Sequence, residues 1–202
     1  MNEQEVNEAI AHVREIQTLV LDHQRFTGFS GVARMLGGVA ALIIAWVLQT
    51  AVPPTIHNHL MGWGVLLLIG VVANFAGLAC WVLNRHRRLD SADWWAVLEV
   101  FPALIVGGAL SLALIQAEQY DFLFGTWMSL FGLAHLVYRR NLPLFFYYGG
   151  VVYVLAGVFC LLCPAISFTD PRPMGTVFGL GEFVEGMVLY RSSRSTGTHR
   201  RI

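Results

Sequence analysis

The sequence predicts an all-α, polytopic membrane protein in which a cytoplasmic amphipathic helix precedes six transmembrane helices. The first observation is composition: 56% of the 202 residues are hydrophobic and 13% are charged, against about a quarter charged in typical soluble domains. The second is that long segments, such as 60–83 and 100–115, contain no charge. A helix needs roughly 20 apolar residues to cross about 30 Å of hydrocarbon. A soluble chain of this length could not bury several such segments, so one membrane domain is predicted.

The chain divides into three predicted parts. Residues 1–28 predict the amphipathic helix, because apolar side chains recur there at helical spacing and acidic side chains occupy the other faces. An acidic polar face suits anionic lipid poorly. We therefore expect residues 2–27 to pack on protein: the chain's own loops, a second copy in a homo-oligomer, or a partner in a membrane complex. Residues 29–191 predict the six-helix transmembrane domain, surrounded by the lipid bilayer, and residues 192–202 a basic cytoplasmic tail.

The distribution of arginine predicts the topology. The six spans are expected at about 31–52, 60–83, 96–116, 121–138, 143–163 and 174–190. Nine arginines follow the even-numbered spans, whereas Arg172 lies in the opposite set of loops. Basic loops remain in the cytoplasm. The pattern therefore predicts a multi-pass protein of the cell inner (cytoplasmic) membrane, with both termini cytoplasmic.

Short sequence similarities favour three repeated hairpins. The segment Phe131-Gly-Leu-Ala-His135 matches Phe178-Gly-Leu-Gly-Glu182, although chance similarity between apolar helices is the alternative. Other features along the chain are a polar N-terminal helix (Ile10 to Arg25), Ser30-Gly31, Pro102-Ala103-Leu104, Gly107-Gly108 and Gly179-Leu-Gly181…Gly186…Tyr190-Arg191. Their order resembles a family of small, uncharacterised six-span bacterial membrane proteins, and the hairpin character is similar to that of HdeD-like acid-resistance proteins. The resemblance implies a fold and no activity.

The last span contains the most informative polar residue. Gly175, Gly179, Glu182 and Gly186 recur at intervals of 4, 3 and 4, so they share one helical face. Small residues allow helices to approach closely, and this places Glu182 inside the bundle near the midplane. A charge at that depth costs about 2.5 to 3.5 kcal/mol on insertion scales and commonly indicates a functional site. Glu182 is therefore a candidate for a proton or cation pathway, or a structural tie between helices.

Further candidates for this pathway fall in the same half of the membrane: Glu185, His135, Asn74, Arg34 and Glu99. Together they indicate a polar cavity that opens to the cytoplasm. Each has a structural alternative. Arg34 and Glu99 are close enough to the interface for their charges to reach water. Asn74 is typical of interhelical hydrogen bonding, and His135 of a satisfied core residue.

Cys160 and Cys163 form a C-x-x-C motif at the outer end of the fifth span. Such a pair could exchange electrons with a quinone or a thiol partner, but cysteine is also an ordinary small apolar residue of membrane helices.

His57 and His59 are predicted in an outer loop without a nearby carboxylate or cysteine, so no metal site is expected. The chain has no basic domain for nucleic acid.

The sequence is compatible with two classes of function. The first is a non-enzymatic membrane protein: a scaffold or accessory subunit, or a small transporter or channel with a polar cluster around Glu182. The second is a membrane thiol-disulfide or quinone oxidoreductase that uses Cys160 and Cys163. The chain has no decisive catalytic motif, which favours the first class. Its sequence does not indicate whether a cofactor binds.

The arginine distribution generates a topological prediction. Reporter fusions after Arg88, after Arg140 and at the C-terminus are expected to report the cytoplasm. Fusions near Glu118 and Asp170 are expected to report the opposite side. Alkaline phosphatase and green fluorescent protein fusions, compared at each position, measure this directly. One strong reversal at an internal loop would contradict the six-span topology.

Overall fold

The computed structural model describes residues 12, 30–85, 101–137 and 144–198 of the chain. Within these ranges it forms six α-helices and no strand, so the prediction of an all-helical fold is confirmed there. The helices are α1 Gly31–Thr50, α2 Ile56–Arg85, α3 Phe101–Gln116, α4 Phe122–Val137, α5 Leu144–Leu162 and α6 Arg172–Thr198. The predicted amphipathic helix lies outside the described residues, except for the helical residue His12.

Three of these helices are long and apolar enough to cross a membrane, judged by length and composition. They are α1, α5, and α2 over the segment Ile56–Gly77. Helices α3 and α4 are apolar but shorter, with 16 residues each. Helix α6 has 27 residues, and Glu182 and Glu185 interrupt its apolar sequence. The apolar helices are compatible with the membrane protein that the sequence predicts.

Helix α2 begins earlier than predicted. The hydroxyl of Thr55 accepts a hydrogen bond from the N–H of Asn58 at 3.3 Å, which is the arrangement of a helix N-cap. The cap starts the helix at Ile56 instead of near residue 60. His57 and His59 were predicted in a loop, and this prediction is wrong because both lie in the first turn of α2.

Helix α6 ends later than predicted. It continues past Arg191 to Thr198, so the predicted basic tail begins as an extension of the last helix. The chain contains no proline or glycine between Gly186 and Gly197, and nothing in the local sequence stops the helix there.

Helices α1 and α6 form an antiparallel pair held by backbone-to-backbone contact. A Cβ atom on Gly31 would lie 2.6 Å from the carbonyl oxygen of Gly186, and one on Gly38 would lie 2.6 Å from that of Gly179. Both pairs of glycines are separated by seven residues, two helical turns. The repeat therefore keeps one glycine face of each helix against the other.

Helices α4 and α5 form a second antiparallel pair built in the same way. A Cβ on Gly132 would lie 2.7 Å from the carbonyl oxygen of Gly150, and one on Gly125 would lie 2.8 Å from that of Gly157. These glycines are again seven residues apart. The bundle thus contains two close helix pairs, and α2 and α3 pack outside them against α1 and α4.

Apolar side chains fill the space between the pairs at one end of the bundle, where α4 and α6 begin. The core there consists of Leu123, Phe124, Met128, Cys160 and Phe168. The ring centroids of Phe124 and Phe168 lie 5.0 Å apart. This end contrasts with the opposite half of the interior, where charged side chains meet.

The glycine contacts generate a stability prediction with a matched control. Gly38→Ala is expected to destabilise the protein by about 1–3 kcal/mol, because the new methyl group meets the backbone of α6. Gly37→Ala introduces the same group one residue away, where nothing lies within 4 Å, and is expected to be neutral or stabilising. Thermal unfolding in detergent measures both. Equal loss of stability in the two variants would contradict backbone contact between α1 and α6.

Candidate functional site

A bidentate ion pair joins α1 to α6. The Nε atom of Arg34 donates to Oε2 of Glu182 at 2.9 Å, and its Nη2 atom donates to Oε1 at 2.7 Å. This geometry is the strongest that a guanidinium and a carboxylate form. The side chains of Arg34 and Glu182 are 12% and 15% exposed. Arg34 therefore points into the bundle, and the alternative that its charge reaches the interface is wrong.

Glu185 and His135 extend the pair into a cluster. The Nη2 atom of Arg34 lies 3.1 Å from Oε2 of Glu185 and 2.7 Å from Nε2 of His135. The same Nε2 atom lies 3.0 Å from Oε2 of Glu185. His135 and Glu185 are both buried. We call Arg34, His135, Glu182 and Glu185 the charge cluster.

Aromatic rings enclose the charge cluster. The guanidinium of Arg34 lies 5.1 Å from the ring centroid of Phe146, a cation–π distance. The imidazole of His135 stacks on Phe146 at 6.2 Å and contacts Phe131 at 4.6 Å. Tyr153 is buried, and the centroid of its ring lies 5.6 Å from that of His135. Its hydroxyl group packs against Gly181, where any larger residue would collide with that hydroxyl. The rings provide an apolar wall that strengthens the electrostatic interactions inside.

The glycine faces determine where the polar side chains lie. Four polar side chains each come three residues after a glycine at which the paired helices touch. They are Arg34 after Gly31, His135 after Gly132, Tyr153 after Gly150 and Glu182 after Gly179. Three residues correspond to a rotation of about 300°, so each side chain lies roughly 60° round the helix from the glycine contact. Each pair of helices thus directs polar groups towards the other pair.

The cluster contains the donor set of a metal site. Ligand atoms of His135, Glu182 and Glu185 lie within 4.8 Å of one another. However, the Nη2 atom of Arg34 is within 3.1 Å of an atom of each of these residues. The guanidinium thus takes the position that a metal ion would occupy, and a metal could bind only if Arg34 moved away.

The contacts of His135 constrain its proton. Its Nδ1 atom lies 2.8 Å from the carbonyl oxygen of Phe131 and must donate to it, because a carbonyl only accepts. Its Nε2 atom therefore either accepts from Arg34 or, when protonated, donates to Glu185. It cannot do both at once. The cluster has two alternative hydrogen-bond arrangements that differ in the position of one proton.

The structure brings together four of the six pathway candidates predicted from the sequence: Arg34, His135, Glu182 and Glu185. Glu99 and the side chain of Asn74 lie outside the described residues. Sequence reasoning missed Tyr153. The available signal was its position three residues after a glycine of the repeat, as for Glu182 and Arg34.

The cysteines of the C-x-x-C motif lie elsewhere, at the apolar end of the bundle. Both are free thiols. Cys160 is buried in the core, with its Sγ atom 3.8 Å from Sδ of Met128, and Cys163 is partly exposed.

Asp170, in the loop beyond them, accepts hydrogen bonds from Arg172, which hold the pKa of that carboxyl below its usual value.

Comparison with known proteins finds no matching family model, curated protein or solved structure. The resemblance to six-span bacterial proteins and HdeD-like proteins therefore stays a prediction. Any function assigned to the chain rests on the geometry of the charge cluster.

The cluster generates a prediction about coupling. Arg34→Met is expected to cost about 3–5 kcal/mol, because it leaves the buried carboxylate of Glu185 and the partly buried carboxylate of Glu182 without their cation. Adding Glu182→Gln should recover part of this loss, since the pair is then removed as a unit. Arg172→Met breaks an ion pair that is 73% exposed on the arginine side, so it should leave stability essentially unchanged. Thermal unfolding of Arg34→Met, Glu182→Gln and the double variant, with Arg172→Met as the control, measures the coupling, and a strictly additive double variant would contradict it.

Proposed function

We propose that the chain is a small six-span membrane protein of the cell inner membrane that moves protons, with the charge cluster as its proton-binding centre. It is a transporter or channel rather than an enzyme. Both termini face the cytoplasm, as the arginine distribution indicates.

The helix pairing supports six spans. Helix α6 accompanies α1 from Gly186 opposite Gly31 to Gly175 opposite Ala45. This pairing favours a crossing by α6 of any membrane that α1 crosses, despite the acidic residues of α6. Helix α4 accompanies α5 in the same way, and α3 packs on α4.

The charge balance supports one exchangeable proton. Arg34 contributes one positive charge, and ionised Glu182 and Glu185 contribute two negative charges. A net charge inside hydrocarbon is costly, so the cluster is neutral when one further proton resides on Glu185 or His135. Because Arg34 holds Glu182 through two hydrogen bonds, Glu185 is the carboxylate that is available to that proton.

The observation that carries the proposal is the double contact of the His135 Nε2 atom. It lies within hydrogen-bond distance of a permanent donor, Arg34, and of a carboxylate, Glu185. A proton on Nε2 favours the second contact, and its loss favours the first. A purely structural cluster has no need of an atom with two competing partners, whereas a proton carrier requires two such states.

Two other functions remain as outcomes of experiment. The close glycine pairs would equally suit a scaffold or accessory subunit, and the partner surface expected at residues 2–27 stays a prediction. A thiol-disulfide or quinone oxidoreductase needs an accessible thiolate, and the burial of Cys160 is unfavourable for that chemistry.

The proposal predicts a specific loss of proton flux. In liposomes with an imposed pH gradient and a trapped pH-sensitive dye, the wild type is expected to carry protons. Glu185→Gln should abolish the flux, because the amide keeps the size of the side chain but cannot take the proton. Glu182→Gln should also impair it, since Glu185, which already lies 3.1 Å from Arg34, would then be the guanidinium's one remaining carboxylate partner in the cluster. Glu118→Gln, at an exposed site between α3 and α4, is the matched control and should behave as wild type.

A second readout keeps this test independent of folding. Infrared difference spectra between acidic and alkaline samples should contain the carbonyl band of a protonated carboxyl that disappears in Glu185→Gln. Absence of flux from well-folded wild type, together with absence of this band, would reject proton movement and leave the scaffold.

A further inference from the structure

Five buried side-chain polar atoms have no hydrogen-bond partner in the described part of the structure. They are Nε2 of His59, Nε1 of Trp63, Oγ of Ser129, the hydroxyl of Tyr153 and Oε1 of Glu185. A few such atoms are ordinary in a native protein, and each is unfavourable unless water or a ligand satisfies it. The informative feature is that the five follow one another along the bundle.

Two of the atoms lie at the apolar end. His59 is fully buried, and its ring lies 6.1 Å from that of Phe168, which precedes α6. Trp63 lies one turn further along α2 and contacts Phe124 of α4 at 5.6 Å. Residues four apart share a helix face, so both nitrogen atoms belong to one side of α2.

Of the other three, Ser129 and Tyr153 lie on the side of the charge cluster, and Glu185 belongs to it. Ser129 is five residues beyond Phe124 on α4, and its hydroxyl rests against Gly157. The hydroxyl of Tyr153 lies against Gly181, and Oε1 of Glu185 lies against Gly149. From Phe124 to His135 on α4 is eleven residues, a rise of roughly 16 Å at 1.5 Å per residue. The atoms therefore extend through about half the thickness of a membrane.

The series contains both hydrogen-bond donors and hydrogen-bond acceptors. The Nδ1 atom of His59 donates to the carbonyl oxygen of Thr55 at 3.0 Å, so its neutral Nε2 accepts. The indole of Trp63 only donates, the hydroxyls of Ser129 and Tyr153 do both, and ionised Glu185 accepts. Water bridges such groups well because each molecule donates twice and accepts twice.

We propose that these five atoms line a file of internal water molecules that leads from the end of α2 at His59 to Glu185. Its role as a proton route rests on the proposed function, since it would connect the charge cluster with the side of the membrane opposite the cytoplasm. Met128 and Cys160, whose sulfur atoms are in contact at 3.8 Å, belong to the apolar core that contacts Trp63, and they would form a neck in the file between Trp63 and Ser129. This weakly polar neck limits the flow of protons, because narrow apolar constrictions exclude water.

Hydroxyl-radical footprinting tests the water file without reference to transport. Radiolysis of the full chain in nanodiscs, read by mass spectrometry, oxidises side chains next to bound water. Trp63 and Tyr153 are expected to be oxidised several-fold faster than Phe124 and Phe146, which are enclosed aromatic residues without a polar atom. Equal rates in the four residues would overturn the file.

Proton flux in liposomes tests whether protons use it. Trp63→Phe and Ser129→Ala are each expected to lower the flux about fivefold, the change that the net value of one hydrogen bond implies. The matched controls are Trp127→Phe and Ser111→Ala, since Trp127 donates to Ser111 at 2.9 Å outside the series and both should match wild type. Losses in the control variants as large as those in Trp63→Phe and Ser129→Ala would overturn the route.

Cysteine substitution at the neck separates the route from the redox alternative. Cys160→Ser adds a polar hydroxyl of similar size and is expected to raise the flux, whereas Cys163→Ser, nearer the helix end, should leave it unchanged. A redox pair instead requires both substitutions to abolish activity. If Trp63 and Tyr153 are oxidised but the wild type carries no protons, the file stands and the proposed function fails. If the wild type carries protons but neither residue is oxidised, the proposed function stands and the file fails.

Discussion

Arg34 places a permanent positive charge inside an apolar bundle, and the surrounding structure is arranged to neutralise it. The guanidinium has contacts with two carboxylates on α6, an imidazole on α4 and a ring on α5. One side chain of α1 therefore contacts three other helices. Because a guanidinium does not lose its proton in proteins, this requirement is the same at every pH. The proposed function assigns the variable component, one exchangeable proton, to Glu185 and His135.

Much of the fold could be predicted from hydropathy alone. The long apolar segments locate five of the described helices within a few residues at the ends that the structure describes, because burial in hydrocarbon demands a long apolar run. Polar residues at the ends were harder to place. The first turn of α2 is polar in sequence, yet the Thr55 cap and the burial of His59 make it helical. These features depend on packing that a local window of sequence does not contain.

The candidate site could be predicted in part. Glu182 was identifiable because its spacing from three glycines places it inside the bundle. Its bidentate partner was not, since Arg34 lies 148 positions away in the chain and its depth alone suggested contact with water. The role of Tyr153 was also hidden, because tyrosine is common in membrane helices and its significance comes from the neighbouring Gly181. Pairwise geometry of this kind arises only when distant helices meet.

The two glycine-lined pairs have a consequence for motion. Within α1 and α6, or within α4 and α5, the main chains touch, and sliding or rotation would bring backbone atoms into collision. Between the two pairs, by contrast, the contacts are made by side chains, which can change rotamer. The bundle is therefore expected to move as two rigid bodies. The rings of Phe131, Tyr153 and Phe178 form the contact between the two bodies. A small rotation about those rings would alter the distance from Arg34 to His135 before it altered any helix.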